Sequence, residues 1–321
     1  MKKDYYIFSS GEIKREDNTI VLINKEGGKK FIPIINVDDL YVFSHINLNS
    51  DLIHYISKFG INIHFFDYYG NYTSTFNSKE QQISGYVKVN QVKHYIDDNK
   101  RLYISKQFLL SAFNTIYKNL QDYGITLNME QYITKLSNSN LKNILLVEAE
   151  FRKNYYKLWD THILKYLKFD RRTRRPPENE INALISFGNS MVYSLCLKQI
   201  RETYLDSSIS FLHEPSDRRH SLSLDMAEIF KPLFVDRIIF NMVNKKIITT
   251  KDFIKMGTLC HLNDSGKKKF LEQFQSKLET IIFMEKLNRD VSYKNLIKLE
   301  CYKLIKHISD DEEYKSLKIY W

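Results

Sequence analysis

The sequence predicts an α+β protein, with a small β-sheet domain over residues 1–80 and a larger all-α helical domain over residues 81–321. Three observations carry this reading. Short runs rich in β-branched and aromatic residues crowd the first eighty positions. Beyond about residue 85, apolar residues recur at helical spacing almost to the end. The charge divides in the same way. Residues 1–90 hold 10 basic and 10 acidic side chains, while residues 91–321 hold 38 and 28 and so carry the whole formal excess of +10.

Strands are expected over residues 5–9, 19–24, 31–35 and 39–43, with Gly11 and the Gly27-Gly28 pair marking turns. Asn49 or Ser50 can cap a helix that carries Leu52, Ile53, Ile56 and Phe59 and ends at Gly60. Residues 61–66 return as a strand, and residues 68–72 turn. The apolar pattern lapses over residues 77–84, the expected linker. Helices are then expected over residues 87–96, 102–120, 140–167, 178–204 and 224–244. Three more follow: one opened by Thr250 or Asp252, then 267–289 and 293–307. Pro176-Pro177 opens the helix from 178, where missing N–H groups cost nothing. Gly188 inside that helix predicts close approach of a neighbour, and the acidic run 310–313 reads as a solvated end.

At 43% apolar residues the chain is globular rather than disordered. Its three cysteines, Cys196, Cys260 and Cys301, are far apart and form no CxxC, which argues against a disulfide framework or zinc site and fits a reducing cytoplasm. The start MKKDYYIFSSGEIK has no apolar core of the signal-peptide kind, and no apolar run approaches the ~20 residues of a membrane span. No membrane association is expected. The basic excess points to a polyanion.

Candidate chemistry centres on residues 171–232. Asp225 and Glu228 are spaced i,i+3, which places both carboxylates on one helix face. The competing explanation is first-turn acids complementing the helix dipole. His213 lies twelve residues before Asp225, in a polar loop with Pro215, Asp217, Arg218 and Arg219 that can fold back over the helix start. Histidine with carboxylates is a recurrent divalent-metal set, favouring Mg²⁺ or Mn²⁺ where oxygen dominates. Glu148 supplies a further carboxylate. It shares a stripe with Ile144, Phe151 and Tyr155, where an unpaired acid is expensive, whereas Glu150 faces the side of Lys153 and Asn154. Lys165, Lys168, Arg171, Arg172, Arg174 and Arg175 place six cations in eleven residues, a candidate DNA-phosphate grip.

YYIFSSGEIKREDNTI, IPIINVDDLYVF and GINIHFFDYYGNY resemble the N-terminal β domain of the CRISPR-associated adaptation integrases, the spacer-acquiring endonucleases of those immune systems. VEAEFRKNYY, RRPPENEINALISFGNSMVY and HEPSDRRHSLSLDMAEIFKP resemble that family's three helical-domain signatures, nearest to the type I-B versions. The resemblance spans essentially the whole chain. It implies a metal held by Glu148, His213 and Glu228, with Asp225 as an auxiliary residue. Two departures are Ala149, where glycine commonly follows the glutamate, and Lys231, where arginine is usual. The resemblance also implies homodimers formed through the β domains. Two such dimers would flank a dimer of a small ferredoxin-like companion subunit, acting on double-stranded DNA.

The expected function is a metal-dependent DNA endonuclease and integrase that inserts captured DNA into a CRISPR array by transesterification. The rival is a non-catalytic basic nucleic-acid-binding scaffold whose acids are helix caps.

Overall fold

In the computed structural model, which describes residues 2–78, 82–217 and 220–318, the chain forms two compact units, Met1–Glu80 and Gln81–Trp321. The expected linker over residues 77–84 falls partly outside the described residues.

The first unit is built from β1 (Lys3–Ile7), β2 (Gly11–Glu16), β3 (Thr19–Asn24), β4 (Lys29–Pro33), β5 (Val37–Val42), β6 (Ile46–Leu48), α1 (Ser50–Phe59), β7 (Ile63–Phe66) and β8 (Tyr72–Phe76). One sheet has the order β1-β5-β7-β8, parallel except for the β7–β8 pair. The other has the order β4-β3-β2-β6, antiparallel except for β2–β6. Their shared core includes Ile13, Ile20, Ile32, Leu40, Val42, Leu52, Ile56 and Ile63. Asn49 caps α1 by accepting the Leu52 N–H at 2.9 Å, and Gly60 closes it in the left-handed conformation at φ 70°. Gly11 opens β2 rather than a turn. A Cβ there would lie 1.9 Å from the Ile23 carbonyl oxygen across the ladder, so only glycine admits this pairing.

The second unit is mostly helical. Its helices are α2 (Gly85–Ile96), α3 (Asp98–Gln121), α4 (Met129–Ser137), α5 (Ile144–Leu158), α6 (Glu180–Arg201), α7 (Ser221–Lys231), α8 (Arg237–Asn244), α9 (Asp264–Glu279) and α10 (Tyr293–Ile308). Pro232 lacks the N–H needed to continue the ladder from α7, and the chain widens into a π turn, Pro232–Asp236, before α8. α6 runs through the middle of the core, capped by Asn179 and packed against α7, the π turn and α10. Its Gly188 has the predicted role: an added Cβ would lie 2.7 Å from Val235 Cγ1 and 2.8 Å from Phe270 Cζ.

Two hairpins interrupt the expected run of helices. The helix expected from Thr250 or Asp252 is one 3-10 turn followed by β9 (Phe253–Met256) and β10 (Leu259–Leu262), joined through Gly257-Thr258. The helix expected over 267–289 stops at Glu279, and β11 (Ile281–Met284) then pairs with β12 (Arg289–Ser292). The run Thr280-Ile281-Ile282-Phe283 fits a pleated surface better than a helix.

Cys196, Cys260 and Cys301 are buried and free. Among the described residues no helix is long and apolar enough to cross a membrane.

Candidate functional site

α7 begins at Ser221, so Asp225 lies a full turn inside it and Glu228 a turn further on. No acid stands in the helix's first turn. The dipole-capping explanation therefore loses its geometric basis.

Asp225 is fully buried, and its carboxylate organises the loop before α7. One oxygen, Oδ2, accepts the backbone N–H groups of Phe211 and Leu212 at 2.7 and 2.9 Å. The other, Oδ1, accepts the His213 N–H at 3.0 Å and holds His213 Nδ1 at 2.8 Å. With Nδ1–H donating to the carboxylate, the imidazole presents the lone pair of Nε2 outward. A carboxylate behind an imidazole in this way is the usual support of a metal-ligating histidine. Burial pulls the His213 pKa down, but the Asp225 hydrogen bond and the charges of Asp225 and Glu228 push it above the ordinary value.

The same loop is pinned from the opposite side. Arg101 on α3 donates to the Phe211 carbonyl at 2.8 Å and to Glu214 at 2.7 Å. Tyr95 on α2 donates to the other Glu214 oxygen at 3.0 Å. Gln91 on α2 donates to the carbonyls of Asp206 and Ile209 at 2.9 and 2.7 Å and accepts the Asp206 N–H at 2.9 Å. His213 is thus carried by a loop fixed at both flanks.

Glu148 on α5 is partly buried, whereas Glu150 is exposed and pairs with Lys135 at 2.6 Å. One turn beyond Glu148, Arg152 joins the two helices: its Nε donates to Glu148 and its Nη2 to Glu228. Lys231 donates to the other oxygen of Glu228. Two carboxylates and two cations thus form a buried, charge-balanced cluster. Burial opposes ionisation of Glu228, but Lys231 and Arg152 outweigh it and hold its carboxyl below the ordinary range. Nearby, Asp236 accepts from Tyr155 OH at 3.1 Å, and burial pushes its pKa up to about 7 against the pull of Arg152.

Glu148 and Glu228 therefore meet on one guanidinium, and His213 stands close enough to feel the Glu228 charge. Among the described residues, no three His, Cys, Asp or Glu side chains are grouped so as to hold an ion. Arg152 and Lys231 take both oxygens of Glu228, and Arg152 takes one of Glu148. Arg218 and Arg219 lie outside the described residues. Sequence reasoning missed Arg152 and Lys231 as partners of the acids. Their spacings, i,i+4 from Glu148 and i,i+3 from Glu228, were the available signal. Arg101 left none, since its partners lie 110 and 113 positions away.

The basic segment follows α5 through a π turn, Trp159–Ile163. Phe169 is buried against Tyr156 and Trp159, and its N–H donates to Asp160 at 2.9 Å. That wedge fixes the loop and leaves Lys165, Lys168, Arg171, Arg174 and Arg175 exposed. Arg172 is turned inward instead, donating to Asn182 Oδ1 and Ser186 Oγ at 3.0 Å each.

A family model described as CRISPR associated protein Cas1 matches residues 5–276. The CRISPR-associated endonuclease Cas1 of Clostridium perfringens is 44% identical over 333 residues, covering 100% of both chains. One of that name from Thermodesulfovibrio yellowstonii is 43% identical over 324 residues, covering 99% of this chain and 100% of the relative. A solved Cas1 protein from Thermotoga maritima shares the fold at a TM-score of 0.88 and 36% identity, covering 98% of this chain and 100% of its own. With relatives this similar along their full length, the chain belongs to the CRISPR-associated Cas1 family.

Proposed function

We propose that this protein is a divalent-metal-dependent DNA endonuclease and integrase that inserts captured DNA fragments into a CRISPR array. The observation that carries the reading is the pair Glu148–Glu228, drawn onto one guanidinium beside an imidazole backed by a buried carboxylate. Relatives that match along their full length are named endonucleases. A scaffold with acids as helix caps has no use for this arrangement.

The donors suit Mg²⁺ or Mn²⁺: two glutamate carboxylates and one imidazole Nε2, an oxygen-rich set. For them to close on such an ion, Arg152 and Lys231 would have to turn aside from the glutamates. A bound ion would supply activation of the attacking oxygen and neutralise charge on the phosphodiester being exchanged. Glu148, Glu228 and His213 would hold it, and Asp225 keeps the imidazole in the ligating tautomer. Lys165, Lys168, Arg171, Arg174 and Arg175 would grip DNA backbones without reading sequence, while Arg172 braces the loop against α6. The 1–80 unit would form the homodimer, and a small companion subunit would join two dimers into the integrating complex in the cytoplasm.

Strand transfer of a labelled DNA fragment into a repeat-containing plasmid, with the companion subunit present, tests the reading. Activity is expected with Mg²⁺ or Mn²⁺, is lost in chelator, and falls by more than ~100-fold in His213→Ala and Glu228→Gln. Normal transfer by those two variants, or undiminished transfer in chelator, would overturn it.

A further inference from the structure

We propose that Arg152 is the resident counter-cation of this site: it holds Glu148 and Glu228 together until a divalent cation takes its place, and it competes with that cation for them. The inference rests on the proposed metal site and adds a device that sets its affinity.

The geometry singles out Arg152. Its two donating nitrogens go to two different carboxylates, on helices α5 and α7, 76 positions apart in the chain. Its side chain is 9% exposed and that of Glu228 is 7% exposed, so the charges face one another with little water between them. In such a place two carboxylates repel unless a cation stands between them. The guanidinium fork is suited to spanning both. Lys231 is placed differently. It touches Glu228 alone among the glutamates, and its ammonium also lies 4.8 Å from the Tyr193 ring centroid, so it does not bridge the pair.

The charge balance gives the consequence. Glu148 and Glu228 contribute two negative charges, and Arg152 and Lys231 two positive ones. An incoming ion must break the Arg152 contacts before it gains the carboxylates. The intact protein therefore binds metal more weakly than the bare carboxylate pair would. Loss of the guanidinium leaves the buried carboxylate pair with Lys231 alone to balance it, and the remaining repulsion is relieved by any cation that enters. A purely structural arginine behaves in the opposite way, since its loss disorders the site and weakens metal binding.

The test uses the full chain and Mn²⁺ alone, with free Mn²⁺ counted by its electron paramagnetic resonance signal. Arg152→Met removes the charge and keeps an unbranched apolar stem; Arg152→Gln removes the charge and keeps a hydrogen-bond donor; Arg152→Lys keeps the charge. The Met and Gln variants are expected to bind Mn²⁺ about tenfold more tightly than the wild type, ~1.4 kcal/mol. Their thermal midpoints should fall without metal and rise with Mn²⁺ by more than the wild-type midpoint does. Arg152→Lys should stay near the wild type. Folded Met or Gln variants that bind Mn²⁺ no more tightly than the wild type would overturn the proposal. So would variants that fail to fold even in excess Mn²⁺, which would make Arg152 a structural brace. A wild type that binds no Mn²⁺, with Glu228→Gln behaving identically, defeats the metal-site reading itself. Wild-type binding that Glu228→Gln abolishes and Arg152 variants leave unchanged defeats only this inference.

Discussion

Replacing Asp225 separates its two roles, because its two oxygens serve different partners. In Asp225→Ala the N–H groups of Phe211 and Leu212 lose their acceptor, and both residues are buried. At about 1–3 kcal/mol for each orphaned donor, the loss is roughly 2–6 kcal/mol. The His213 N–H adds little, since that residue is partly open to water. In Asp225→Asn the amide oxygen can take the place of Oδ2 and keep both of those bonds. Its NH₂ group then faces the His213 N–H and Nδ1 where Oδ1 had been. One hydrogen bond is lost, for about 1 kcal/mol. The imidazole must now accept at Nδ1, so its proton moves to Nε2 and the ligating lone pair disappears. Asparagine should therefore leave the fold nearly intact and weaken Mn²⁺ binding about 10–100-fold. Trp159 is buried in the 81–321 unit and no tryptophan precedes it in the sequence, so denaturant unfolding followed by tryptophan fluorescence reports on that unit. Equal stability losses in the two variants, or wild-type Mn²⁺ affinity in the asparagine variant, would refute this division of labour.

Two further outcomes follow from the packing around the site. Gly188→Ala gains ~1 kcal/mol of helix propensity but forces a methyl into Val235 and Phe270, an overpacking cost of about 1–3 kcal/mol. A lowered urea midpoint is expected, and an unchanged or raised one would show that the α6 interface yields easily. For Asp252, burial raises the carboxyl pKa, but hydrogen bonds from Lys269, the Thr249 N–H and Ser265 outweigh it and hold the value below the ordinary range. A depressed folded pKa gives stability that is present above the unfolded value of ~3.9 and lost as pH falls through the folded one. The stability gap between wild type and Asp252→Asn should be widest near neutral pH and close in acid. A gap that stays constant down the acid limb contradicts the assignment.

What the sequence revealed of the fold followed from periodicity. The helical stripe Ile144, Glu148, Phe151, Tyr155 placed one acid inward and left Glu150 for the surface, as its pairing with Lys135 shows. β2 escaped because GEIKRE buries only Ile13 and alternates with charges, so it reads as a turn. β8 escaped because YTSTF buries no residue fully. The two C-terminal hairpins lie among helices, and four-residue strands give periodicity too little length to count. At the site, the acids and the histidine were legible as residue types in a pattern. The internal cations were not, because pairing a buried glutamate with a buried arginine is a decision of tertiary packing. Arg172 shows the converse: in the sequence it is one of six like charges, and in the fold the Asn182 amide and Ser186 hydroxyl turn it inward.

The stitching of the 206–214 loop to Gln91 and Arg101 bears on when in its life this chain can act. Those contacts join positions 110 to 118 residues apart, and α7, which carries Asp225 and Glu228, follows the loop. Closing so long a segment is slow compared with forming any single helix. In a chain still emerging from the ribosome, the cation-rich segment is made before α7, and until then His213 lacks the Asp225 carboxylate that holds it. Synthesis order thus puts the cation-rich segment ahead of the assembled histidine and acids of the candidate site.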